Sequence, residues 1–475
     1  MCPTFLVSLI LTTGNVLKGL RVFKVILNFM EIQMNKKINL AVASATLVLG
    51  ATAANAGIVI PAGEWTLDVN GNVNVYATAH SSDDTTGANS ITGGLATYKD
   101  TNGESDSQGI NTGLLPAWLG FTGTTRQNDL DVSFTISMQQ NVSDAGAGDA
   151  KTPLNRQAFL TFGDKSWGTI KMGKDLGIFA ADAILNDMTL LGAGAAGGST
   201  NSGSSTSLGG IGTGYIYPAW KGQVAYTTPN MNGFQATIGI TNPNQNFGTS
   251  FQDQFGYEGK ASYDFAAGDA KGKVWVSGAA YDVTTTPTAA VATVAAKTKN
   301  YNYLATLIGS VTDTAVGTVS LTVTIADAVA STAAVASATY DATVVDIGAN
   351  INLGNFGLTG YYYSGEGVGT TIFGANGATT AGKERDSDGG YVQATFVIPT
   401  GTKLGASYGV SNLDLASGEA TSSLLEENKR WTVGAYHPLT KHLNLVAEYN
   451  KVEAESHNSL KAESDHFSLG AILFF

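Results

Sequence analysis

The 475-residue chain contains a single cysteine, Cys2. The rest of the chain can therefore form no internal disulfide, no thiolate nucleophile and no cysteine metal site. Charge is also scarce. Asp, Glu, Lys and Arg together make up 13% of the residues, about half the usual share. From residue 57 onward no apolar stretch approaches the roughly 20 residues that a membrane-spanning helix needs. The five histidines, His80, His437, His442, His457 and His466, show no H-E-x-x-H or comparable ligand spacing, so no metal centre is expected.

What is present begins with a leader. Met34-Asn35-Lys36-Lys37 is a short positive segment, and an apolar run follows from Ile38 to about Ala53. Ala54-Asn55-Ala56 is an A-x-A cleavage site, with Gly57 as the first mature residue. The run is too short, and too rich in Ala, Thr and Ser, to read as a spanning helix. The pattern predicts a signal peptide over residues 34–56 and one mature domain over 57–475. Residues 1–33 carry Lys18, Arg21 and Lys24 in apolar sequence. They read as an extension from a start assigned too early, with Met34 the true start; an unusually long positive region is the alternative.

With the five basic residues and one acidic residue of the leader set aside, 21 basic and 37 acidic residues remain, a net charge of −16. That balance argues against a nucleic-acid partner. Low charge, secretion and no membrane helix leave two classes: a barrel in an outer membrane, or an extracellular Gly/Thr-rich β protein such as an adhesin.

The strand pattern favours the barrel. Trp65, Leu67, Val69, Gly71, Val73, Val75 and Ala77 share one face of an extended run, and Thr66, Asp68, Asn70, Asn72, Asn74 and Tyr76 share the other. Leu130–Met138 alternates in the same way. Alternation over about ten residues marks a strand with one face in lipid. Short turns at 127–129, 163–167, 229–233, 353–356, 399–403 and 438–442 carry Gly, Pro, Asn or Asp. Between them lie long polar stretches, roughly 80–116, 140–154, 175–219, 242–255, 364–389, 411–429 and 451–465. Loops sorted into short and long sets fit periplasmic turns and external loops. The expected fold is all-β: a transmembrane antiparallel β-barrel of 16 strands, or 18 if region 282–341 contributes a hairpin to the wall. Six tryptophans, Trp65, Trp118, Trp167, Trp220, Trp275 and Trp431, lie near proposed strand ends, where aromatic belts would place them. The chain closes on Phe467, Leu469, Ala471, Leu473 and Phe475, an apolar strand face that a barrel can turn to lipid.

Residues 155–174, Asn-Arg-Gln-Ala-Phe-Leu-Thr-Phe-Gly-Asp-Lys-Ser-Trp-Gly-Thr-Ile-Lys-Met-Gly-Lys, resemble a strand–turn–strand of Gram-negative general porins. Trp220-Lys221-Gly222-Gln223-Val224-Ala225-Tyr226, with Pro229 and Gly233-Phe234, resembles the next hairpin of that family. The motif-level likeness spans about residues 117–240. It implies an outer-membrane channel for passive diffusion of small hydrophilic solutes and ions, built as a homotrimer in contact with lipid and lipopolysaccharide. It also implies a third loop folded into the pore, with acidic loop residues facing basic wall residues. By position Asp187 and Asp182 match the acidic side, and Arg156 and Lys221 the basic side. Lys171, Lys174 and Asp175 are further candidates. Trp118 stands where a wall arginine is usual and Asn72 where a lysine is usual. Thr189-Leu190-Leu191-Gly192-Ala193-Gly194 replaces a loop string that carries a second carboxylate. The net charge suggests a cation preference, and Asp187→Asn is expected to shift selectivity toward anions. The terminal face formed by Phe467, Leu469, Leu473 and Phe475 is what the family's barrel-assembly machinery recognises.

Other motifs point elsewhere less well. Gly377–Lys383 reads G-x-x-x-x-G-K, but Glu384 stands where a phosphate-binding loop needs Ser or Thr. The string from Asp100 to Asp106 faintly resembles a calcium loop, yet Asn111 replaces its bidentate Glu. No Ser/His pattern suggests an enzyme, and no cofactor is implied.

Overall fold

The computed structural model describes residues 57–83, 90–96, 105–140, 142, 154–195, 206–242, 250–251, 254–285, 298–304, 318–324 and 336–475. The extension over 1–33, the leader with Ala54 and Ala56, and the Asp100–Glu104 string lie outside the described residues.

Sixteen antiparallel strands close into one barrel. We number them β1 (Trp65–Ser82), β2 (Ala117–Gln127), β3 (Leu130–Gln140), β4 (Leu154–Asp164), β5 (Gly168–Leu176), β6 (Trp220–Thr227), β7 (Phe234–Thr241) and β8 (Gly256–Ala267). The second half holds β9 (Ala270–Thr285), β10 (Thr339–Leu353), β11 (Phe356–Glu366), β12 (Asp386–Val397), β13 (Lys403–Leu413), β14 (Leu425–Pro438), β15 (Leu443–Ser456) and β16 (Lys461–Phe474). Each strand pairs with its sequence neighbours. β16 returns to β1, from Asn72↔Phe474 to Ser82↔Ser464. Closure leaves no ladder edge in lipid, where an unpaired backbone group would find no water. The short strand Ile58–Ala62 extends the β1 ladder beyond the end of β16, from Ile58↔Val69 to Ala62↔Trp65.

Alternation sets the two surfaces. On β1, Val73 and Val75 point outward and are exposed, while Asn72, Asn74 and Tyr76 point inward and are buried. On β16, Phe467, Leu469 and Leu473 face outward. Around the barrel Ile136, Leu160, Ile238, Val345, Val392 and Val433 continue this apolar belt. The inner wall carries hydroxyl pairs instead, such as Ser133 with Thr161 at 2.6 Å and Thr227 with Thr237 at 2.9 Å.

Strand number is decided by the region from 282 to 341. Thr298–Leu304 and Thr318–Thr324 pair only with each other, as a separate two-stranded sheet, while β9 pairs directly with β10. The wall therefore has sixteen strands and not eighteen. One turn was not expected from the sequence, and one expected boundary changes. A tight turn at Gly268–Asp269 joins β8 to β9; Gly268 supplies its positive φ of 61°. The long loop expected over 451–465 is mostly strand, since Lys451↔Asp465 and Glu455↔Lys461 are in register. Outward charges there, paired as Lys451–Glu463 (2.7 Å) and Lys461–Glu455 (3.0 Å), hid an alternation with buried Val452, Ala454 and Ala462.

The tryptophans divide. Trp65 opens β1 and Trp167 sits in a turn, and Trp431 faces outward beside Tyr408. Trp275 points inward and is buried against the inserted loop, so it is no part of a belt. Trp118 and Trp220 hold Arg156 between them.

Candidate functional site

After β5 the chain turns into the lumen. Glu258 on β8 accepts the backbone N–H groups of Ile178 (2.5 Å) and Phe179 (3.0 Å). A single-turn helix α1 (Ala181–Asn186) follows, then a 3-10 turn over Met188–Leu191. Side chains from distant strands tie both to the wall. Tyr391 donates to the Ala183 carbonyl (2.8 Å), and Gln393 accepts from the Met188 N–H (2.7 Å). Tyr76 donates to the Leu191 carbonyl (2.6 Å). Glu448 on β15 accepts the N–H groups of Ala193 (2.9 Å) and Gly194 (2.8 Å) and the Tyr436 hydroxyl (2.6 Å).

The glycines of 192–194 allow that approach. A Cβ on Gly192 would lie 2.0 Å from a Glu448 carboxylate oxygen, and Gly194 has a φ of +59°. The carboxylate missing from this loop string is thus matched by one reaching out from the wall. Beneath the loop, Phe179, Ile184, Leu190, Ile211 and Ile216 pack with Trp275, Tyr281, Tyr361 and Tyr363. Phe373, from the 367–385 loop, closes the same cluster against Tyr281 at 4.4 Å between ring centres. Burying each such side chain contributes about 1.5–3 kcal/mol, so the loop is seated by packing as well as by polar straps.

The charged residues pair in an arrangement different from the simple opposition expected. Asp187 accepts the Thr189 N–H (2.9 Å) and the Tyr215 hydroxyl (2.8 Å), and Arg430 on β14 lies 3.7 Å from it. Asp182 meets Lys260 (2.7 Å) and Lys273 (3.4 Å) from β8 and β9. Lys221 is buried with Glu258 (2.6 Å) and the Tyr281 hydroxyl (3.0 Å). Arg156 is buried between the rings of Trp118 (4.3 Å) and Trp220 (4.2 Å), and donates to Gln157 (2.6 Å). Its position comes from a register shift: Ser137 pairs with Gln157 and Met138 with Asn155, which leaves Arg156 as the extra residue of a bulge. Lys171 pairs with Asp175, which also accepts from Gln157 (2.9 Å). Lys174 shares the outward face of Met172 by alternation and donates to the Asn155 carbonyl (2.7 Å). Asn72 is buried and donates to the Pro116 carbonyl (2.9 Å).

Arg430, Lys260, Lys273, Glu258 and Glu448 went unnoticed in the sequence. A signal was present: each sits mid-strand at an inward position, next to outward residues such as Tyr257 or Trp431. Beside the short turn at 127–129 a cavity of about 520 Å³ is lined by Glu64, Thr66, Arg126, Asp131 and Ser133, among others. The 377–383 string is a surface loop, with Lys383 donating to the Ser417 carbonyl (2.9 Å). Gly405-Ala406-Ser407-Tyr408-Gly409 has the spacing of a hydrolase nucleophile motif, but it runs along β13 and makes no strand-to-helix turn. Among the described residues no cluster of three metal-ligating side chains occurs.

A closed barrel with an apolar exterior, a hydroxyl-lined lumen and a loop seated inside it defines an outer-membrane pore protein. The sequence profile described as Gram-negative porin matches residues 41–306, and the chain belongs to that family. It is an integral outer-membrane channel for passive diffusion. The fold is similar to that of the outer-membrane channel DcaP of Acinetobacter baumannii, with 14% identity, 88% of this chain and 100% of that one covered, and a TM-score of 0.56. It is also similar to the OmpF of Salmonella typhi solved in complex with daunomycin, at 15% identity, 88% and 100% coverage and a TM-score of 0.50. The outer-membrane-expressed OmpT of Vibrio cholerae matches at 13% identity, 88% and 100% coverage and a TM-score of 0.50. No curated protein matches the chain.

Proposed function

We propose that the inserted loop and the wall opposite it form the eyelet of a general diffusion channel for small hydrophilic solutes and ions, with no catalytic step. The seating of residues 178–194 inside the lumen by Glu258, Tyr391, Gln393 and Glu448 carries this reading. In it Asp182 and Asp187 fix the loop, while Arg156, Lys171, Asp175 and Lys221 shape the wall beside it. Lys174 takes no part, since it shares the outward face. The protein works as a homotrimer in lipid and lipopolysaccharide, delivered by the barrel-assembly machinery through its aromatic end. Its mature chain starts at Gly57, so an intact mass matching residues 57–475 is expected.

Reconstitution into a planar bilayer tests the central claim. Stepwise conductance increments are expected on addition of purified protein. Folded, heat-modifiable protein that gives no steps would sink the reading.

A further inference from the structure

We infer that the eyelet prefers small anions, although the chain as a whole is acidic. This rests on the channel reading above and adds its selectivity.

Basic and acidic groups are both present at the level of the inserted loop; what separates them is access to water. The loop carboxylates are spent on seating the loop: the side chains of Asp182 and Asp187 are 2% and 1% exposed. Glu258 and Glu448 are buried against backbone donors of the same loop. Asp175, 11% exposed, is held by Gln157 and Lys171. The lysines are more open. Lys171 is 34% exposed, Lys260 24% and Lys273 21%. All three lie on inward faces: Lys171 alternates with outward Met172, Lys260 shares its face with Glu258, and Lys273 shares its face with Trp275. Asp264, 25% exposed and 3.9 Å from Lys273, offsets part of this toward the β8–β9 turn.

A passing ion therefore meets lysine side chains that are more open to water than any loop carboxylate. A lysine keeps its charged end hydrated while its stem lies along the wall. Charges lining a pore bias ions by sign. The acidic residues of the outer rim are screened beyond about 8–10 Å and act weakly on the eyelet. One lysine about 4 Å from an ion's path in water favours an anion and disfavours a cation by up to about fivefold each, so it changes the anion-to-cation permeability ratio by up to about thirtyfold.

The test is the reversal potential of bilayer-reconstituted protein in a potassium chloride gradient. The wild type is expected to show the sign of chloride preference. Lys171→Gln should lower the chloride-to-potassium ratio by up to about thirtyfold, with Lys260→Gln and Lys273→Gln acting in the same direction. Lys171→Arg should keep the wild-type value, which separates charge from packing. Lys461→Gln, at the outward rim and 70% exposed, should change nothing. A cation-sign potential in the wild type would overturn the inference and leave the channel reading intact. So would the same potential in wild type and all three Gln variants of the eyelet. Absence of any conductance would overturn both.

Discussion

Asp187→Ala should unseat the inserted loop without unfolding the barrel. Asp187 and Arg430 are each 1% exposed, with 3.7 Å between charged atoms. The Nε and Nη1 atoms of Arg430 are buried without a hydrogen-bond partner among the described residues. Asp187 is thus the counter-ion of a guanidinium that has little else. Removing one partner of such a buried pair costs about 3–5 kcal/mol, because the remaining charge is left uncompensated. Asp187 also caps the 3-10 turn through the Thr189 N–H, and loss of such a cap costs about 1 kcal/mol. Together about 4–6 kcal/mol weighs against the seated loop, a change of about a thousandfold or more in its equilibrium. The barrel ladders are untouched, so heat-modifiable migration should persist. Single-channel recording should show larger and noisier openings, and limited proteolysis should cut within residues 177–219. Arg430→Met on the Asp187→Ala background should restore much of the seating, since no charge then stays buried alone. The reasoning is refuted if Asp187→Ala keeps wild-type conductance and protease resistance, or if the second substitution adds a further loss.

Two further outcomes follow from other parts of the molecule. Deleting Phe475 removes both hydrogen bonds that close the seam at Gly71, its N–H to the Gly71 carbonyl (3.1 Å) and its carbonyl to the Gly71 N–H (2.8 Å). The heat-modifiable fraction in outer membranes should fall several-fold while inserted channels conduct normally; unchanged insertion would remove the seam from the argument. Hydrogen bonds from Arg385 (2.8 and 2.5 Å) hold the Glu419 carboxyl below its ordinary 4.5. A depressed carboxyl contributes stability above its ordinary value and loses it as pH falls through the folded one. The link between the 367–385 and 414–424 loops should therefore loosen only below about pH 4.5, seen as faster proteolysis there. Arg385→Gln should abolish that step, and a step that survives the substitution belongs to another group.

The sequence by itself determined the barrel. Strands with one face in lipid must alternate with period two, and short turns must carry residues that bend sharply. Both are local rules, so β1, β3 and the aromatic-ended Phe467–Phe475 part of β16 were legible residue by residue. The motifs around them also named Arg156, Lys221, Asp182 and Asp187 as basic and acidic candidates.

Their partners were decided only by the tertiary structure. Asp187 and Arg430 are 243 positions apart, and Asp182 lies 78 and 91 positions from its two lysines. No local pattern encodes such a distance. Which charges meet depends on where a loop enters the lumen, and that follows from Glu258, Tyr391 and Glu448 gripping its backbone from three strands. The same seating removes the loop carboxylates from water. Net charge, a property of the sequence alone, therefore does not say which charges meet water at the inserted loop.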